Sequence, residues 1–120
     1  MSFLDELKIV EEMGLLRFCE WININDDYNL SIQCGVGKYS FPRENIELDK
    51  YTHFEIAFIY EGLLSYNNHE ELLEGFDRKA ELKQHKEDTV YANVPKDLVE
   101  DLYGYLIESN NEKKLLLKKY

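Results

Sequence analysis

The clearest alternation of apolar and polar positions lies in Tyr28–Arg43, YNLSIQCGVGKYSFPR. Tyr28, Leu30, Ile32 and Cys34 fall on one side, and Asn29, Ser31 and Gln33 on the other, which is the period of a half-buried strand. Gly35-Val36-Gly37 supplies turn residues, because glycine takes φ > 0 without steric cost. Lys38–Phe41 is then expected to return as a short strand, closed by Pro42, which has no N–H for a ladder. This hairpin is the predicted centre of the fold.

The flanking segments follow the same logic. Ser2 is placed to cap a first helix with Asp5 near the capping-box position, and Phe3, Leu4, Leu7, Val10 and Met13 form a helical stripe ended by Gly14. Leu15–Asn23 reads as a strand with Leu16, Phe18 and Ile22 on one face and Arg17, Cys19 and Trp21 on the other. Asn25-Asp26-Asp27 is turn chemistry and makes this strand antiparallel to the next. After a polar connection over 43–52, His53–Tyr60 is a strand with Phe54, Ile56, Phe58 and Tyr60 on one face. Ala57 and Ile59 make its second face apolar too, as suits a central strand. Glu70–Phe76 and Arg78–Lys86 read as short helical pieces, and Thr89–Val94 as a strand. Pro95 sits at a helix start, and Leu98, Val99, Leu102, Tyr103, Leu106 and Ile107 follow at helical spacing.

The expected fold is one α+β domain over residues 1–108: an antiparallel sheet of three to five strands with N- and C-terminal helices packed on it. Residues 109–120 are set apart by charge. Lys113, Lys114, Lys118 and Lys119 outweigh Glu112, giving a basic tail or helix extension. The predicted core is Ile32, Phe54, Ile56, Phe58, Leu102 and Leu106.

Composition adds two constraints. Nine Tyr, six Phe and one Trp in 120 residues argue against intrinsic disorder. The net charge of −10 disfavours direct binding to nucleic acid or an anionic membrane, and favours a basic protein partner. No run reaches the roughly 18 apolar residues of a membrane span, and the charged N-terminus is unlike a signal peptide. A cytoplasmic location is expected, with Cys19 and Cys34 reduced and acting as small hydrophobes.

Candidate chemistry is sparse. His53, His69 and His85 share no i, i+3 or i, i+4 spacing and the cysteines form no CxxC pair, so no metal ligand set is predicted. Cys34 could meet His53 across neighbouring strands, but a cysteine on an apolar face is inert. Gly35-Val36-Gly37 lacks the third glycine and the following helix of a dinucleotide fingerprint. Acidic pairs such as Asp26-Asp27 lack the alternation of a calcium loop. No catalytic set and no cofactor are predicted. Two binding surfaces remain. Glu70, Glu71 and Glu74 form an acidic patch for a basic partner. Alternatively Gln33, Tyr39, Ser40 and Arg43 could grip an anionic or nucleotide-like ligand by stacking and a bidentate guanidinium contact.

SIQCGVGKYSFPRE, FEIAF and VYANVPKDLVEDLYGYL resemble segments of small uncharacterised proteins of phages and integrated mobile elements of Gram-positive bacteria, over residues 15–107. The resemblance implies an accessory role in a mobile element and carries no catalytic motif. The expected function is therefore a non-enzymatic, acidic interaction protein that binds and modulates a more basic host protein, nucleic-acid-binding proteins included. The alternative is a small-ligand binder using the Tyr39–Arg43 segment.

Overall fold

A computed structural model describes the backbone of residues 2–118 and the side chains of residues 2–112. The main sheet is antiparallel and has six strands. Its path runs β3 (Ile22–Asn23), β4 (Tyr28–Gln33), β5 (His53–Tyr60), β8 (Val90–Pro95) and β7 (Lys86–Glu87). β6 (Leu63–Leu64) continues along the same edge of β5 that β8 occupies, pairing with Ile59 and Tyr60. A separate two-stranded ribbon joins β1 (Ile9–Met13) to β2 (Leu16–Cys19). The sheet is thus larger than expected, because the two-residue strands β3, β6 and β7 are too short to show a period.

The central strand is as its pattern predicts. β5 spans His53–Tyr60, pairs with β4 on one edge and β8 on the other, and buries Phe54, Ile56 and Phe58. These meet Leu30 and Ile32 of β4 and the helix α2 (Lys96–Lys118), whose Leu98, Val99, Leu102 and Leu106 are buried in the same core. All six predicted core residues are buried. Pro95 is the last residue of β8, opposite His53, and the helix begins one residue later at Lys96. α2 runs on through Lys118, so the backbone of the basic segment extends the helix; Lys119 and Tyr120 lie outside the described residues.

Two predicted elements are corrected. The N-terminal helix is a single 3-10 turn, Phe3–Glu6, with the Ser2–Asp5 capping box in place. Beyond it the β-branched pair Ile9-Val10 favours an extended chain, and Gly14, at φ +61°, turns β1 into β2 instead of ending a helix. The Lys38–Phe41 return strand does not pair with β4. β5 pairs with β4 along its whole length, from Tyr28 to Gln33, and takes the edge on which a hairpin return would lie. Phe41 instead bridges His53, while the Tyr39 N–H donates to the Glu55 carboxylate and the Tyr39 carbonyl accepts from Asn93 N–H. Asn93, at φ +50°, belongs to the bulge where β8 falls out of step with β5. The turn itself is glycine-dependent: at Gly35 (φ +121°) a Cβ would stand 2.5 Å from Asn45 Oδ1.

Residues 15–23 also depart from a single strand. The strand breaks after Cys19, so the burial phase slips: Arg17, Cys19 and Ile22 face inward, and Phe18 and Trp21 outward.

Candidate functional site

Helix α2 covers one face of the sheet. The other face carries Ser31 and Gln33 from β4, Glu55, Ala57 and Ile59 from β5, and Val90 from β8, and among the described residues no helix lines its groove. Phe18 and Trp21 rise along one side and Leu63 and Leu64 along the other, enclosing a groove of about 730 Å³. Ala57 and Ile59 form its floor and are themselves 4% and 2% exposed, so the apolar second face of β5 is used to line a groove. The walls are more open: Trp21 is 45% exposed, Leu63 74% and Leu64 56%. Lys38 places its ammonium 3.9 Å from the Phe18 ring centroid, so the groove's cation is held over an aromatic face. Past Phe18 and Trp21 lies a second depression, bordered by Val10, Glu11 and Glu20. The surface is thus apolar at its centre and acidic at this end.

The residues expected to grip a ligand are not gathered into one pocket. Gln33 is buried and its carboxamide is spent within the fold: Oε1 accepts from Cys19 N–H at 2.8 Å, and Nε2 donates to the Cys19 carbonyl at 2.9 Å. Ser40 is buried; its hydroxyl accepts from Gly35 N–H and donates to the Pro42 carbonyl. Tyr39 and Arg43 are exposed neighbours, with the guanidinium 5.4 Å from the ring centroid and Nε donating to the Lys38 carbonyl. The acidic trio lies on and just after the 3-10 helix Asn68–Leu73, away from the groove. Glu70 pairs with Lys83 at 3.5 Å, Glu71 accepts from the Tyr28 hydroxyl at 2.9 Å, and Glu74 is exposed beside a smaller cavity shared with Tyr105 and Leu106.

Two buried polar groupings were hidden from the sequence pattern. His69 has no exposed surface and stacks on Phe58 at 4.4 Å. Its Nδ1 meets the Ser65 hydroxyl at 2.9 Å and its Nε2 the Tyr91 hydroxyl at 2.8 Å. Burial, followed by the Lys86 charge, pulls its pKa down to about 4, so the imidazole is neutral at physiological pH. Stacking on Phe58 and the hydrogen bonds to Ser65 and Tyr91 tie β5, β8 and the 3-10 helix together here. The second grouping is Arg17, Cys19, Cys34 and Tyr51, where β2 ends beside β4. Arg17 Nη2 donates to the Ile46 carbonyl at 2.9 Å and to the Tyr51 hydroxyl at 2.7 Å.

Comparison with protein-family models, with curated proteins and with solved structures found no match to this chain. Among the described residues, no three His, Cys, Asp or Glu side chains are grouped to hold a metal ion, and no helix is long and apolar enough to cross a membrane.

The groove residues missed by sequence reasoning left a faint signal. Trp21 and Leu63-Leu64 are large apolar residues in segments bounded by turn chemistry, where a buried role has little structure to support it. Their convergence depends on the strand break after Cys19 and on β6 folding back on β5, and neither follows from periodicity.

Proposed function

We propose that this chain is a non-enzymatic, acidic interaction module whose open sheet face receives an apolar segment of a basic protein partner. The supporting observation is the groove itself: an uncovered sheet face walled by Phe18, Trp21, Leu63 and Leu64. Contiguous exposed apolar surface of this kind marks interaction sites, and aromatic anchors in such a groove supply most of the binding energy. The charge of the partner follows from the surroundings. Glu11 and Glu20 flank the aromatic wall, and the chain carries −10 overall, so a segment bearing Lys or Arg beside its apolar residues is attracted and an acidic one repelled. Modulation of a nucleic-acid-binding protein fits the same electrostatics, since a surface that holds a phosphate backbone is basic.

The single tryptophan makes the test direct. Trp21 lines the groove, so its emission reports occupancy. Titration with a short Lys/Leu/Phe peptide is expected to shift Trp21 emission to the blue and to saturate. The Glu/Leu/Phe counterpart should have no effect, and Leu63→Asp should weaken the basic peptide roughly tenfold or more, as loss of a buried apolar contact does. Equal response to both peptides, or no response to either, contradicts the reading.

A further inference from the structure

The groove suits an apolar segment with cations beside it, and the chain carries one of its own. Lys113-Lys114-Leu115-Leu116-Leu117-Lys118-Lys119 sets three leucines between two lysine pairs. Residues 109–120 hold +3, against −13 on residues 1–108. The sequence is thus split into an acidic body and a short basic, leucine-rich end. The groove has the complementary makeup. Its floor is Ala57 and Ile59, its walls are Phe18, Trp21, Leu63 and Leu64, and Glu55 lies in its lining. Glu11 and Glu20 border the depression that adjoins it across Phe18 and Trp21. The cation in the lining, Lys38, sits over the Phe18 ring.

The fold keeps this segment out of the groove of its own chain. α2 packs on the opposite face of the sheet, and Ser109 and Asn110 border a cavity with Ile24, Asn25 and Glu71. The helical backbone runs on through Lys118, about 12 Å further along the same axis at 1.5 Å per residue. Reaching the groove would require the helix to break and the chain to turn round the sheet. A second copy meets no such obstacle. Charge also decides which surfaces meet: two basic ends repel, as do two acid-bordered grooves, whereas an end and a groove attract.

We propose that the Lys113–Lys119 segment of one copy docks in the groove of a second copy, head to tail. The leucines would meet the aromatic wall, and the lysine pairs the acidic border. Such a contact is heterologous: each joined pair keeps one unused groove and one unused end, and assembly continues unless a ring closes. One helical segment makes a small joint, so the association is expected to be weak and concentration-dependent. A basic partner must displace the neighbouring copy to enter, so assembly and partner binding exclude each other. The inference rests on the reading of the groove as a site for basic, apolar segments.

Sedimentation of the full chain through the micromolar range provides the test, in about 0.15 M salt, where repulsion between the acidic bodies is screened beyond roughly 8 Å. Species larger than a monomer are expected, and Trp21 emission should move to the red on dilution as the groove empties. Leu63→Asp spoils the groove and Leu116→Glu the end, and each alone should weaken association roughly tenfold or more. Mixed, the two variants should form a dimer and nothing larger, because one supplies the intact end and the other the intact groove. A mixture no larger than its parts, or assembly that survives Leu63→Asp, overturns the proposal. A monomer at every concentration overturns it too: where the Lys/Leu/Phe peptide still shifts Trp21, self-docking alone fails, and where it does not, the groove reading fails with it. A synthetic peptide of residues 110–120 needs no variant. It should dissolve the wild-type assemblies while Trp21 emission stays blue, and assemblies unmoved by it contradict the proposal.

Discussion

A histidine sealed from water records pH as stability. His69 accepts protons in the unfolded chain near its ordinary pKa of 6.5 but in the fold at about 4. Between those values the unfolded state binds more protons. Stability is therefore complete above about 6.5, falls as pH drops through the window and levels off below about 4, by roughly 3 kcal/mol from this group. Urea midpoints measured across this range test it, and His69→Gln should flatten the slope that His69 contributes. Gln33 offers a second residue-scale prediction. Gln33→Ala leaves the Cys19 N–H and carbonyl without their partners, and should cost about 1–3 kcal/mol in urea unfolding. Neither role was legible in the sequence. Gln33 read as a polar-face residue and His69 as one of three scattered histidines, because their partners lie 14 and 22 positions away.

Elements were legible where a period lasted long enough to be seen. β5, β4 and α2 stand where their alternation and helical spacing place them, and Phe58 is buried between His69 and Tyr91. Phe58→Ala should cost about 3–5 kcal/mol in the same assay, from lost burial and the cavity left behind. Short or competing signals failed. Ser2 and Asp5 do cap a turn, but the β-branched residues that follow cannot be told from a helical stripe by spacing alone. The return strand after Gly37 failed because sheet edges are a property of the whole topology: β5, from far along the chain, pairs with β4 all the way from Tyr28 to Gln33. Among the described side chains of α2 Leu106 is the last buried one, and deleting residues 110–120 is expected to cost less than about 1 kcal/mol. A dimer lost on that truncation, seen by size exclusion, would show that the segment packs on a second copy.

At the scale of the whole molecule, the fold is lopsided. One face of the sheet is closed by α2 and by the N-terminal turn, which Glu100 holds through Ser2 and the Phe3 N–H. Arg78 ties the start of α1 (Lys79–Lys83) to Asp97 and Asp101 at the head of α2. The opposite face is left open between Phe18, Trp21, Leu63 and Leu64. Charge and size were readable from composition, and the charge carries the expectation of a basic partner; the groove was not readable, because Phe18, Trp21, Leu63 and Leu64 meet only in the fold. Glu70, Glu71 and Glu74, chosen from sequence as the partner patch, lie away from the groove, two of them engaged within the fold.

One experiment follows the three candidate surfaces together. Amide chemical-shift mapping of the isotope-labelled chain during titration with the basic Lys/Leu/Phe peptide follows all of them at once. The largest changes are expected at Phe18, Trp21, Ser31, Ala57, Ile59, Leu63 and Leu64, and should diminish with added salt as the acidic border is screened. Changes centred on Glu70–Glu74 or on Tyr39–Arg43, with the groove silent, would contradict the account.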